Sequence, residues 1–181
     1  MKNTIQLVLS LTLISAFCAA TLAYVDSITR APIAAVQAER EQISVRAVLP
    51  RAVEKIERIA PEGAAATECY VGRNAEGAVA GYAAKGTTSK GYGGEIELMV
   101  GFESDGRTLV SYRKLAANET PGLGAKLATA EFTEQFQGKD GTGLKVKKEG
   151  GQIEAITAAT ITSRAVCDAI ADAARKVAAV K

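Results

Sequence analysis

Between Glu154 and Arg164 the chain reads EAITAATITSR, a run of small and hydroxyl-bearing side chains with no glycine or proline inside it. An Ala-rich segment follows, Arg164 to Val180, in which Val166, Ile170 and Val177 fall on one helical face. Thr160, Thr162 and Ser163 therefore stand where a helix begins, beside unpaired backbone N–H groups and the positive end of the helix dipole. With Arg164 next in line, these residues offer the chemistry of a phosphate site. Taken alone, the same stretch reads as a Ser/Thr helix cap, since caps are common and phosphate sites few.

A second stretch, Glu119 to Gly124, reads ETPGLG and is followed by Lys126. Pro121-Gly122 signals a turn, and Gly124 permits close backbone approach. By local sequence this is a strand-to-helix turn, with Pro121 near the first position of a short helix. Gly91-Tyr92-Gly93-Gly94 reads, by the same standard, as a flexible connection. Other chemistry is thin. The chain has no histidine, which removes Ser-His and Cys-His catalysis and most transition-metal sites. Cys18, Cys69 and Cys167 show no CxxC spacing, and a buried free thiol is the expectation for Cys69 and Cys167. A formal charge of +2, without a basic stripe, points away from nucleic acid. A protein built this way is poor in chemistry of its own and well suited to carrying a cofactor.

TAATITS resembles the S/T-G-A-T-x-T/S motif of the FMN-binding subunits of the Rnf and Na⁺-pumping NADH:quinone oxidoreductase families. ETPGLG resembles their second signature, and the two occur here in the family's order. The resemblance implies that Thr160 carries FMN through a phosphoester bond made by a flavin transferase, as an attachment point and not as a catalytic residue. It implies that Thr157, Ala158, Ala159, Ile161, Thr162 and Ser163 surround the attachment. The loop of Glu119, Thr120, Pro121, Gly122, Leu123 and Gly124 would lie against the isoalloxazine ring. Leu123 would supply apolar surface, while the loop amides or Lys126 would face the ring's N1–C2=O edge, or Glu119 would orient the loop. Tyr92, Gly93 and Gly94 match a segment that runs near the flavin. Two positions depart from the family: Ala158 replaces a glycine and Glu154 an aspartate.

The resemblance further implies the G subunit of an Rnf-type ion-translocating ferredoxin:NAD⁺ oxidoreductase, relaying electrons among other membrane subunits. The C subunit of the Na⁺-pumping enzyme is the alternative within the class. A membrane-tethered scaffold without redox activity and a stand-alone exported flavoprotein are the rivals outside it. No GxGxxG fingerprint follows a strand, so the chain itself need not bind NAD.

The elements that must position these motifs can be read in order. Ile5 to Val25 contains no charged residue, and its length matches the roughly 20 residues a bilayer-crossing helix needs. Lys2 before it and Asp26 after it favour a cytoplasmic N-terminus and an exported domain. A cleaved signal peptide is the competing reading, and it exports the domain too. Ile33 to Leu49 and Ala52 to Ile59 read as helical pieces that form a stalk or pack on the domain. Strands are expected over Cys69–Arg73, Ala78–Thr88, Glu95–Glu103 and Thr108–Leu115, with a short one over Leu144–Lys148. On Glu95–Glu103, Ile96, Leu98 and Val100 form one face and Glu95, Glu97 and Met99 the other. Phe132 and Phe136 are assigned to the core, and the Lys145, Lys147, Lys148 cluster to solvent. The expected class is α+β: an anchor over 1–28, a helical stalk over 29–63, and an FMN-binding domain over 64–181. That domain is a four-stranded antiparallel sheet closed by the C-terminal helix. The expected location is the bacterial cytoplasmic membrane, single-pass, with the domain on the extracytoplasmic side.

Overall fold

The computed structural model describes residues 2–59 and 69–181. The expected break at Pro61-Glu62-Gly63, Ala64 to Ala66 and the domain bound between 63 and 64 lie outside them. The chain divides into two compact units, one ending at Arg40 and one running from Glu41 to Lys181.

The N-terminal helix α1 spans Lys2–Val48 without a break and contains Pro32. The expected stalk helix is thus its continuation and not a new element. Its apolar residues from Ile5 to Val25 are exposed, and it is long and apolar enough to cross a membrane.

The second unit is built on five antiparallel strands in the order β1-β2-β3-β4-β5: Lys55–Ile59, Cys69–Arg73, Val79–Gly91, Gly94–Glu103 and Leu109–Ala117. Four of them match the expected strands. The fifth, β1, replaces the helical piece expected over Ala52–Ile59, pairing Lys55 with Arg73 through Ile59 with Cys69. The expected strand over Leu144–Lys148 is also absent; Val146 makes one parallel bridge to Ile153, and Lys147–Glu149 turns as a 3₁₀ helix.

Two short helical turns, a 3₁₀ turn at Gly124–Ala128 and α2 at Ala130–Thr133, lead away from β5. The C-terminal helix α3 spans Thr160–Val180. Its Val166, Ile170 and Val177 are fully buried, as their spacing predicts, against Ile96, Leu98, Val100 and Phe102. Buried Ala165, Ala169, Ala173 and Ala174 keep that helix face slim. Two polar ties fix α3 lengthwise on β3: the Thr87 amide donates to Asp172 Oδ2 at 3.1 Å, and Lys176 Nζ donates to the Lys85 carbonyl at 2.7 Å. Phe132 and Phe136 join the same core, their rings edge to face at 5.3 Å.

The other sheet face is covered as well. Val45, Val48 and Leu49 pack with Ala83 and Met99. Met99 is therefore buried, although alternation alone puts it on the polar face. Cys69 and Cys167 are buried and unpaired.

Candidate functional site

Three segments far apart in sequence meet at one end of this core. The first is the β3–β4 turn with Tyr92. The second is the loop after β5, Asn118 to Leu123, and the third is the approach to α3.

In the loop, the Leu123 amide donates to the Thr120 carbonyl at 3.2 Å, and Gly122 has φ +76°. With Pro121 ahead of it, this is the geometry of a type II turn. The helical turn starts at Gly124 and not at Pro121. Gly124 is buried, and any side chain there would run into Glu119 Oε2 and Thr162 Oγ1. Below the loop, Tyr112 on β5 donates its hydroxyl to the Leu127 carbonyl. Nothing in the sequence marks Tyr112 beyond its alternation on the strand.

Ala159 is the N-cap of α3, and no side chain caps the helix. The hydroxyl-rich run is thus not spent on the cap that it resembled. The N–H groups of Thr160, Ile161 and Thr162, in the first turn, have no intrahelical acceptor by helix geometry. Ser163 is completely buried and works from below: its Oγ accepts the Ile156 amide at 2.9 Å and donates to the Ala159 carbonyl at 2.9 Å. It shapes the bend into α3. Ala158, at the bend's tip, has φ +60°.

Together the segments enclose a cleft of about 420 Å³, within the roughly 300–1,000 Å³ range of small-molecule sites. Tyr92 lines it from the first segment, Glu119, Thr120, Leu123 and Gly124 from the second, and Ala158 through Thr162 from the third. Tyr92, Leu123 and Ile161 are 69%, 40% and 49% exposed, and outside α1 they are the exposed large apolar side chains among the described residues. Glu119 is buried and joins the segments, accepting from Thr162 Oγ1 at 2.6 Å and from the Gly93 amide at 3.2 Å.

Other residues singled out by sequence lie around this cleft. Gly93 and Gly94 form the turn backbone beside Tyr92, and Pro121 and Gly122 the exposed tip of the loop. Lys126 and Thr157 line a smaller neighbouring cleft with Glu154. Glu154 pairs with Lys147 at 2.7 Å, and that hydrogen bond holds its carboxyl below the usual range. Arg164 is engaged by Glu149 at 2.7 Å and does not line the main cleft.

The residues present fit a flavin mononucleotide. Apolar side chains at the rim suit a ring system, and free N–H groups at a helix start suit a phosphate. Residues 91–175 match the FMN-binding domain family. The fold is similar to that of the C subunit of the Na⁺-translocating NADH-quinone reductase from Parabacteroides distasonis, with a TM-score of 0.54 over 70% of this chain and 76% of that one, at 17% identity.

Relatives of higher identity narrow the class. The chain is 33% identical over 173 residues to the G subunit of the ion-translocating oxidoreductase complex of Methanosarcina acetivorans, covering 93% of this chain and 92% of that protein. It is 34% identical over 187 residues to the G subunit of the Na⁺-translocating ferredoxin:NAD⁺ oxidoreductase complex of Acetobacterium woodii, covering 93% and 89%. The chain belongs to the family of G subunits of ion-translocating oxidoreductase complexes. It is a membrane-anchored electron-transport flavoprotein with an FMN-binding domain.

Proposed function

We propose that FMN occupies the main cleft, joined by a phosphoester to Thr160 Oγ1. There it relays electrons within an ion-translocating ferredoxin:NAD⁺ oxidoreductase on the extracytoplasmic side of the membrane. The observation that carries this reading is the meeting of both motifs in one cleft whose rim holds Tyr92, Leu123 and Ile161. Exposing three large apolar side chains together is costly unless something covers them.

FMN supplies the electron-accepting chemistry when bound. The chain's own residues do the rest. Thr160 opens α3, so its hydroxyl lies beside the first-turn N–H groups. Those amides and the helix dipole favour the phosphate's charge. Tyr92, Leu123 and Ile161 exclude water from the ring. Attachment requires the Thr160 hydroxyl to lose its proton as its oxygen bonds to phosphorus, and a leaving group to depart from an activated flavin nucleotide. A flavin transferase is the partner that would bring that donor. Residues 5–25 hold the domain at the bilayer, next to the complex's other membrane subunits.

Replacing Thr160 by Ala tests this. In the assembled complex, T160A should remove the covalent flavin and with it ferredoxin-dependent electron transfer, while the altered chain still inserts and co-purifies. Unchanged flavin content and unchanged electron transfer would contradict the proposal.

A further inference from the structure

We propose that Glu119 is the positioning residue of this cleft. Its carboxylate clamps the β3–β4 turn and the first turn of α3 onto its own loop, and its charge keeps the bound flavin at a lower potential than a neutral clamp would. The second half rests on the FMN reading of the cleft; the first does not.

The clamp follows from what each carboxylate oxygen touches. Oε1 accepts the Gly93 amide at 3.2 Å, and Oε2 accepts the Thr162 hydroxyl at 2.6 Å. These partners are 26 and 43 positions away in sequence, so one side chain bridges all three segments of the cleft. The surroundings leave this carboxylate its space. A side chain at Gly124 would collide with Oε2, one at Gly91 would come within 2.8 Å of Oε1, and one at Gly93 would strike the Asn118 carbonyl. Hydrogen bonds to a charged acceptor are about twice as strong as neutral ones, and burial shields the Thr162 arm from competing water.

Charge enters through the lining of the cleft. Among the described residues Glu119 is its one lining side chain with a formal charge; neither Lys126 nor Arg164 lines it. Electrons added to a flavin make it more negative. A fixed negative charge at a buried edge of the same cleft opposes that change, weakly screened by salt.

Glu119→Gln separates the two halves. Its amide carbonyl can still accept from Gly93, and its NH₂ can donate to Thr162, whose hydroxyl accepts as readily as it donates. E119Q should therefore keep the clamp and lose the charge. Glu119→Ala loses both, and Thr162→Val loses one arm while keeping Glu119.

The measurements are hydrogen exchange resolved to the Gly93 amide, on the full chain without flavin, and the flavin midpoint potential on the full chain loaded with FMN. Exchange at Gly93 should rise on the order of tenfold or more in E119A, stay near wild type in E119Q, and leave the β3 and β4 amides unchanged. T162V should loosen the start of α3 and leave Gly93 protected. The E119Q potential should shift to a more positive value. Wild-type exchange at Gly93 in E119A would overturn the clamp. An unchanged or more negative potential in E119Q would overturn the charge. Failure of the wild type to take up FMN would overturn the flavin reading and the charge half with it, while exchange at Gly93 still decides the clamp.

Discussion

Ala158 is the one non-glycine residue with positive φ among those described, and it lines the cleft two positions before Thr160. A left-handed conformation costs an L-residue roughly 1–2 kcal/mol, because Cβ crowds the following carbonyl. Glycine avoids that clash, although part of the gain is lost to the freer unfolded chain. Ala158→Gly should therefore stabilise the domain by about 0.5–1 kcal/mol in denaturant titrations. A loss of stability would show that the bend relies on the methyl group. The identity of residue 158 as a departure is legible in the sequence; its dihedral angle is not. Glu119 illustrates the same limit. Its motif is visible, but its partners lie in two other segments, and only the folded sheet brings Gly93 and Thr162 to it.

Among the elements, strands with clear alternation are legible and the one without it is not. Glu95–Glu103 and Cys69–Arg73 fall within or on β4 and β2. The segment before Ile59 carries Glu, Lys and Arg, good helix formers, and β1 has only partial burial to mark it. Pairing with β2 overrides that propensity. Alternation puts Met99 on the polar face because nothing local announces that Val45 and Val48 cover it. Pro32 reads locally as a boundary, yet α1 continues through it; its fixed φ suits a helix, at the cost of one backbone hydrogen bond and of crowding between its ring and the carbonyl one turn back.

The core between α3 and the sheet also makes a pH prediction. Burial pushes the Cys69 thiol up to about 11 and the Cys167 thiol up to about 12. The unfolded chain releases these protons near about 8.5, so between there and 11 to 12 the folded state binds more protons than the unfolded one. This contribution to stability is complete below about pH 8.5 and falls as the pH rises toward about 12. Chemical denaturation from about pH 7.5 to about pH 10.5 should show that fall, and Cys69→Ala/Cys167→Ala should flatten it. Both thiols should resist alkylation in the native state at about pH 8. Rapid labelling would contradict their burial.

For the whole molecule, α1 and the flavin domain divide the work between placement and chemistry. The charge-free run Ile5 to Val25 gives the anchor, and the family gives the company it keeps. The proposed placement of the domain outside the cytoplasm rests on Lys2 on one side of that run and Asp26 on the other. A reporter fused after Lys181 that is active only outside the cytoplasm should report activity, and the protein should stay with membranes in alkaline carbonate. Activity of a cytoplasm-only reporter would reverse the orientation.

A flavin fixed covalently at Thr160 would be seen first in the mass of the protein. Full-length protein co-produced with an active flavin transferase should show an FMN-sized increment in intact mass, mapped by peptide fragmentation to Thr160, with flavin fluorescence that survives denaturation. Unmodified mass and no flavin, in native and denatured protein alike, would contradict it.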